Sequence, residues 1–500
     1  MWRKEQMHYL CTPGKCDRWS RTIWQKIQAI WHSAQKGQIT SFLLALMCLT
    51  GTLVSPLVFA DDAFTPQSPR DENTETSTPE ETSSRTLPLD EAYRLAFVNE
   101  EQIKIAEREL AKAQLLPWRA VTLLTPRVEI DGTYTRNKDE ISFINQPTLP
   151  GQAGTPSTIR PLESWQGVFA VTQPLVQPLF TPTWRLGKDA VQQNAQLYGF
   201  TISEVLFGVA RAYYDVLRSR EQVRVTQDTL RLTKDELRQA EVRFRVGEVT
   251  KTDVLRAEVE VARTERTLIA NRDALQLSLA TLARVVGISE PIAVVEPAPL
   301  APNGEGYEQL LAKAYVQRQD LRAQVAGVEV ARERRNQVLA RYAPQVYTQW
   351  SYPRLDSPTF ANRDKFWVLT LNFQVPLFDG GVRELDLQEQ GENLAQAQLQ
   401  LSRLKKDIGI EVKRALLDAE TLAATLTTLR KEVALAQENY QITSKQYGVG
   451  LATSLDANTT LNSLNQVRTQ LVDQTYAYQV VLLALDRAVG AFGRDYIPQR

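Results

Sequence analysis

Residues 246–253 read VGEVTKTD and residues 449–456 read VGLATSLD, so both octapeptides share the pattern Val-Gly-x-x-Thr-x-x-Asp. Each lies within a long stretch without proline, residues 183–290 and 377–497, rich in Ala, Leu, Gln, Glu, Lys and Arg. Such stretches favour long helices. Glycine accepts the left-handed backbone at which a helix ends, and threonine caps the helix that follows. Each stretch is therefore predicted to form an antiparallel pair of helices, with arms of ~50 residues that extend roughly 75 Å.

The two octapeptides belong to an internal duplication. Their offset of 203 residues also relates Val286-Gly287 to Val489-Gly490. Upstream, Pro126 and Pro344 each precede an alternating segment, at an offset of 218 residues. The difference between the two offsets falls around residues 138–163, where an exposed loop tip tolerates extra length. One supersecondary unit is therefore used twice.

Each copy is predicted to contain two β-strands. Apolar and polar residues alternate around 128–135 and 164–172 in the first copy, and around 345–352 and 367–375 in the second. This alternation is typical of outer-membrane barrel strands and also of an ordinary water-facing sheet. Four strands cannot close a transmembrane barrel, and an open sheet edge in lipid leaves backbone groups unsatisfied. If these strands cross a membrane, several chains must share one barrel.

The N-terminal segment is predicted to be a cleaved signal peptide covering residues 1–60. It has a basic beginning, a hydrophobic stretch at 39–59, and small residues at Val58 and Ala60. A retained membrane anchor is the alternative. Residues 61–86, rich in Asp, Glu, Ser, Thr and Pro, are predicted to be a disordered acidic tether. The remaining predicted regions are the first repeat at 87–289, a linker at 290–306, the second repeat at 307–491 and a C-terminal tail at 492–500.

Composition argues against enzymatic chemistry. All three Cys, both His and all three Met lie within residues 1–60. An exported chain without that segment has no thiol nucleophile, imidazole base or soft metal ligand. The full sequence balances 58 basic against 58 acidic residues, which gives no reason to expect nucleic acid as a partner. We therefore predict a protein that is not an enzyme and needs no cofactor.

Several motifs, in order and in duplicate, resemble those of the TolC-type outer membrane efflux protein family. Residues 89–96 (LDEAYRLA) are similar to its opening helix, and residues 375–381 (VPLFDGG) to its strand-to-helix turn. Residues 243–247 and 447–450 resemble its helix tips, and the likeness covers about residues 87–491. It implies a mainly α fold with a small β part, in which a homotrimer forms an α-barrel from duplicated helical hairpins and closes a shared twelve-stranded transmembrane β-barrel.

The same resemblance implies the channel subunit of a tripartite export system in the cell outer membrane, in contact with lipid and with a long periplasmic portion. Small molecules would pass through the duct passively, driven by an inner-membrane pump that a periplasmic adaptor protein connects to it. Two alternatives stay open: the duct of a type I protein secretion system, and a periplasmic coiled-coil scaffold or adaptor without membrane strands. Four alternating segments at matched places favour the channel over the scaffold.

The helix tips are predicted to form the periplasmic entrance and the surface on which the adaptor docks. The residues concerned are Phe244, Val246, Gly247, Thr250, Asp253, Tyr447, Val449, Gly450, Thr453 and Asp456. A local capping role is sufficient to explain both aspartates.

In a trimer, Asp456 would also form a ring of carboxylates that favours cations and binds divalent ions. No other metal site is expected. Where the family's best-known member has a gating arginine and a second pore carboxylate, this chain has Ala452 and Thr459. Closure of the entrance is therefore expected to differ from closure in that member.

Overall fold

The computed structural model describes residues 85–144, 156–302, 304–355 and 366–497. The predicted signal peptide and residues 61–84 of the predicted tether lie outside this part of the chain. In chain order the elements are β1 (Arg85–Leu87), α1 (Leu89–Asn99), α2 (Glu101–Gln114), α3 (Leu116–Val121), β2 (Arg127–Arg136), β3 (Ile141–Ile144), β4 (Pro156–Arg160), β5 (Glu163–Val176), α4 (Phe180–Arg245), α5 (Lys251–Val286), β6 (Ile292–Val294), α6 (Tyr307–Gln317), α7 (Gln319–Ala340), β7 (Gln345–Leu355), β8 (Val368–Gln374), α8 (Val382–Gly448) and α9 (Ser454–Val489).

Two long helical hairpins, α4 with α5 and α8 with α9, dominate the described residues, so the predicted helix pairs are confirmed. Their arms are unequal, however, because α4 and α8 have 66 and 67 residues whereas α5 and α9 have 36 each. The longer helices begin soon after the strands and pack against α7 as well as against their hairpin partners. Among the helices of the described residues, none is long and apolar enough to cross a membrane.

The four predicted strands are confirmed and form one antiparallel sheet in the order β2-β5-β7-β8. β2 pairs with β5 within the first copy and β7 pairs with β8 within the second, while β5 and β7 join the copies. The structure adds a short hairpin, β3 with β4, in the longer loop of the first copy.

One face of this four-stranded sheet is mainly apolar, although Gln173 and Thr348 also lie on it. The pairing places Val171 opposite both Val128 and Trp350, and Trp350 opposite Leu369, so these side chains share a face. We call this surface the apolar face; its members are Val128, Ile130, Tyr134, Trp165, Phe169, Val171, Val346, Trp350, Tyr352, Leu369, Leu371 and Phe373. The opposite face carries mainly polar side chains, among them Glu129, Asp131, Thr133, Gln166, Gln349, Thr370 and Asn372.

A second, smaller sheet lies against the middle of α4. β1 and β6 pair in parallel, and Leu87 of β1 is fully buried. The Tyr213 hydroxyl donates to the Leu87 carbonyl oxygen at 2.8 Å and accepts the Val295 N–H at 3.0 Å. Arg85 and Thr86, placed in the tether by the sequence analysis, lie in β1, and the linker predicted at 290–306 contains β6.

A charged cluster joins the first copy to the second. Arg318, at the bend between α6 and α7, is 8% exposed and lies 2.7 Å from Asp320 and 2.6 Å from Glu411. Arg487 of α9 pairs with Glu411 at 3.0 Å and also with Glu204 of α4. Glu411 and Arg487 thereby connect α4, α8 and α9, and loss of a carboxylate partner would leave the buried Arg318 guanidinium uncompensated.

A substitution at Gly187 tests how closely α4 approaches α3. A methyl group added at Gly187 would lie 2.7 Å from the Pro117 backbone nitrogen, whereas one added at Gly208 of the same helix meets nothing within 4 Å. Gly187→Ala is therefore expected to lower the free energy of unfolding by about 1–3 kcal/mol through overpacking. Gly208→Ala should raise it by about 0.5–1 kcal/mol. Thermal unfolding followed by circular dichroism compares the two, and a stabilising Gly187→Ala would contradict the close approach.

Candidate functional site at the helix tips

Each helical hairpin reverses at a glycine in the left-handed region. The φ angle is 78° at Gly247 and 80° at Gly450. In the first tip, the Gly247 N–H donates to the Phe244 carbonyl oxygen at 3.0 Å and the Glu248 N–H donates to that of Arg243 at 2.9 Å. The second tip has the equivalent two bonds, at 3.1 and 2.8 Å. These bonds give partners to carbonyl oxygens at the end of each helix. The turn that makes them requires a positive φ, which explains why glycine occurs at both tips.

The threonine and aspartate of each octapeptide form a capping box. Asp253 Oδ2 accepts the Thr250 N–H at 3.1 Å, and Asp456 Oδ2 accepts the Thr453 N–H at 3.0 Å. In the second tip the Asp456 N–H also donates to Thr453 Oγ1 at 3.2 Å. The hydrogen bond from the Thr453 side chain lowers the pKa of Asp456 below its usual value. Both aspartates thus have the predicted capping role.

A hydrogen-bonded trio links the two tips directly. The buried Ser454 donates its hydroxyl to Asp253 Oδ1 at 2.8 Å, and Arg256 Nη1 donates to Ser454 Oγ at 3.1 Å. Arg256 Nη1 also lies 3.4 Å from Asp253 Oδ1. The Ser454 bond is the main reason why the pKa of Asp253 lies below its usual value. Asp253 therefore both caps α5 and anchors the start of α9.

Arg243 makes a second link between the tips. Its Nη1 donates to the Tyr447 carbonyl oxygen at 2.5 Å, its guanidinium lies 5.0 Å from the centre of the Tyr447 ring, and its Nε lies 3.1 Å from Glu248 Oε2. Tyr447 is consequently buried, and burial raises the pKa of its hydroxyl. Ala452 brings no charge to the second tip, whereas Arg243 and Arg256 of the first hairpin connect the two tips within one chain.

These links continue up α4 as a row of polar contacts with the second hairpin. Gln222, Thr229, Glu236 and Arg243 are spaced seven residues apart and therefore share one helix face. Their partners are Asp473, Asn465, Tyr440 and the Tyr447 carbonyl, at 2.6, 2.6, 3.1 and 2.5 Å. We call this row the polar seam.

Several apolar side chains are exposed at the tips. Phe244, Val246 and Val449 of the predicted docking set are exposed, whereas Tyr447 contributes its ring and carbonyl group to the link between the tips. Leu451 and Leu455, which the sequence analysis did not single out, are also exposed, Leu451 to 80%. Charged side chains, among them Glu248 and Lys251, are exposed beside them.

In the residues that the structure describes, no group of three or more His, Cys, Asp or Glu side chains is arranged to hold a metal ion. The ring of Asp456 carboxylates expected in a trimer stays a prediction.

Ser454→Ala tests the link between the tips. The variant removes the donor to Asp253 and the acceptor for Arg256, so local stability should fall by about 1 kcal/mol. Amide hydrogen exchange in residues 246–253 and 449–456 should then accelerate roughly fivefold. The contribution is present above the ordinary Asp pKa of 3.8 and is lost as the pH falls through the lowered value, so the difference from wild type should shrink in acid.

Thr459→Ala is the matched control, because the Thr459 hydroxyl donates only to the Leu455 carbonyl of its own helix. Equal exchange in Ser454→Ala and Thr459→Ala would show that the trio does not hold the tips together.

Curated relatives of the chain include Protein CyaE of Bordetella pertussis, at 26% identity over 248 residues, or 48% of this chain. The alkaline protease secretion protein AprF of Pseudomonas aeruginosa is 23% identical over 406 residues, 78% of this chain and 82% of AprF. The outer membrane efflux protein BepC of Brucella suis is 24% identical over 263 residues, 51% of this chain. The chain spans about half the length of CyaE and BepC, 52% and 56% respectively.

Solved structures share the fold. The Campylobacter jejuni CmeC outer membrane channel superposes with a TM-score of 0.68 at 14% identity, covering 85% of this chain and 94% of CmeC. The outer membrane protein VceC of Vibrio cholerae gives a TM-score of 0.66 at 18% identity, covering 80% of this chain and 96% of VceC.

Both structural repeats also match one protein family. Residues 92–288 and 310–491 fit the sequence profile described as "Outer membrane efflux protein". These two segments cover most of the chain and include both helix tips, so the protein belongs to the outer membrane efflux protein family.

Proposed function

We propose that this protein is the outer-membrane channel subunit of a tripartite export system, through which small molecules pass passively, driven by an inner-membrane pump. The observation that carries the proposal is the apolar face of the four-stranded sheet. Ile130, Leu371 and Phe373 on this face are at least 70% exposed. An exposed apolar surface of this extent is unfavourable in water and suits contact with lipid. The polar opposite face suits a water-filled lumen.

The edges of the same sheet support assembly from several copies. β2 and β8 are its edge strands and pair on one side only in the part of the chain that the structure describes. A backbone group in lipid that lacks a hydrogen-bond partner costs roughly several kcal/mol. We infer that neighbouring copies join edge to edge. A homotrimer would close twelve strands, and its hairpins would form the α-barrel of the periplasmic portion.

The helix tips supply the proposed docking surface for a periplasmic adaptor. Phe244, Val246, Val449, Leu451 and Leu455 offer exposed apolar side chains there. The glycine turns and capping boxes support this role because they hold the apolar side chains on rigid helix ends.

A duct for protein secretion is the second candidate, favoured by the similarity to AprF, which is named as an alkaline protease secretion protein. Both ducts need the same architecture, so the cargo depends on which pump binds. A periplasmic scaffold without membrane strands gives no reason for the apolar face. Identification of the pump that co-purifies with the protein separates the two ducts.

Membrane insertion through the apolar face is tested with two neighbouring substitutions in β8. Leu371→Arg places a charge on the apolar face and should cost about 2–4 kcal/mol in lipid. Thr370→Arg places the same charge on the polar face and should be tolerated. Both variants are compared with wild type by detergent extraction of outer membranes and by a heat-labile trimer band on gels. Soluble monomer in the wild type, or equal behaviour of the two variants, would contradict the proposal.

The proposed carboxylate ring at Asp456 is tested by conductance in planar bilayers. Asp456→Asn keeps an oxygen that can accept the Thr453 N–H but removes the charge, so block by divalent cations and cation selectivity should both fall. Thr459→Ala leaves the charge in place and should conduct like wild type. Block that persists in Asp456→Asn would show that the ring lies elsewhere.

A further inference from the structure

Glu236 is a buried carboxyl group at the joint between the two hairpins. It is 6% exposed, and the Tyr440 hydroxyl of α8 donates to its Oε1 at 3.1 Å. Leu461 and Leu464 of α9, both almost fully buried, pack with Tyr440 beside it. The contact spans 204 residues of sequence and joins the first hairpin to the second. This member of the polar seam is therefore shielded from water.

Few charged groups face Glu236. Glu260 of α5 is close enough to oppose its ionisation, and Glu260 itself lies 3.8 Å from Arg263.

The other nearby charges are already paired. On α4, the neighbouring Asp235 pairs with Arg238 at 3.2 Å, and Arg243, one heptad away, pairs with Glu248. Tyr440 and Tyr447 of α8 are the titratable groups of that helix near Glu236, and Arg468 of α9, one turn beyond Leu464, donates to Gln437 of α8. No lysine or arginine of the described residues thus neutralises the Glu236 carboxylate through an ion pair.

This environment favours the neutral acid near neutral pH. Burial raises the pKa of Glu236 from the usual 4.5 to about 7; the Tyr440 hydrogen bond opposes this rise and the charge of Glu260 adds to it. The other α4 members of the polar seam do not titrate in this pH range: the Gln222 amide and the Thr229 hydroxyl are uncharged, and the Arg243 guanidinium stays positively charged. Glu236 is the member of the polar seam on α4 whose charge changes there.

We propose that Glu236, buried beside Tyr440, forms a protonation-dependent fastener, in which neutral Glu236 allows the two hairpins to pack together near the tips and ionised Glu236 lets them separate. Glu236 is a positioning residue in this scheme, because its burial between the hairpins acts on their packing. Its consequence for transport rests on the proposed channel function, since separation of the hairpins would widen the entrance. The separation of the hairpins can be measured whether or not the protein forms a channel.

The direction of the pH effect follows from linkage. Glu236 is neutral in both arrangements below its ordinary pKa of 4.5. As the pH rises towards 7, it ionises in water when the hairpins are apart but stays neutral when they are packed, so the packed arrangement loses relative stability. The ratio of separated to packed hairpins should therefore rise with pH, by at most roughly 300-fold, and level off above pH 7.

Spin labels at Val242 of α4 and Ile442 of α8, both half-exposed, report the separation by pulsed electron resonance on the full-length trimer in detergent. Cys11, Cys16 and Cys48 are replaced by serine in every sample, so the two introduced cysteines are the only ones labelled. The long-distance population should grow between pH 5 and 8 in wild type. In Glu236→Gln it should stay small at every pH, and a pH response equal to that of wild type would overturn the proposal.

Two further variants keep the test decisive if Glu236→Gln folds poorly. Tyr440→Phe removes a bond that lowers the pKa of Glu236, so the ratio of separated to packed hairpins should level off at a higher pH than in wild type. Glu260→Gln removes the opposing charge, so the ratio should level off at a lower pH. A purely structural role would change the ratio by the same factor at every pH and leave the levelling-off pH unchanged. Thr229→Val, one heptad away in the polar seam, removes a hydroxyl that does not titrate and should also leave that pH unchanged.

Bilayer conductance of the same proteins separates the two proposals. A wild type that never conducts contradicts the channel function, whereas the spin-label distances still test the fastener. A wild type that conducts, and whose ratio of separated to packed hairpins levels off at the same pH in Tyr440→Phe and Glu260→Gln, contradicts the fastener alone.

Discussion

The fold depends on two very long helices that must each end at a defined residue. A helix of 66 residues extends roughly 100 Å, and nothing in its repeating hydrogen bonds specifies where it stops. Gly247 and Gly450 supply that stop, because their φ angles near 80° are costly for other residues. The capping boxes then restart the chain in the opposite direction. A turn displaced by one residue would rotate every later side chain of the returning helix by about 100° relative to its partner.

Local patterns in the sequence were sufficient to predict the helix pairs, their turns and the four strands. Proline-free stretches, Val-Gly-x-x-Thr-x-x-Asp and period-2 alternation each act within a few residues, where one sequence is informative. The unequal arm lengths were missed, although a local signal was present: α5 and α9 end at Gly287 and Gly490, whose φ angles are 75° and 79°. The pairing of β1 with β6 spans some 200 residues of sequence and left no local signal.

At the helix tips, too, local contacts were predictable from the sequence and contacts between distant residues were not. The capping threonines and aspartates could be identified because their bonds lie within one turn of helix. The links through Arg243, Arg256 and Ser454 could not, because each joins residues about 200 positions apart. The heptad spacing of the polar residues in α4 was the available signal for the seam. Polar side chains at this spacing usually face water, so the spacing alone does not distinguish a buried joint from a solvated face.

The polar seam also specifies how the hairpins align. Each of its four positions on α4 has a different partner, an acid, an amide, a phenol and a backbone carbonyl. Sliding α4 by one heptad, roughly 10 Å, towards the tips would take Arg243 from its acceptor and place the Glu236 carboxyl against the Tyr447 carbonyl oxygen, which offers it no donor. A seam of identical leucines would tolerate that slip, whereas mismatched buried polar groups penalise it. The seam thus selects a single alignment during folding, at the expense of some of the stability that an apolar seam would provide.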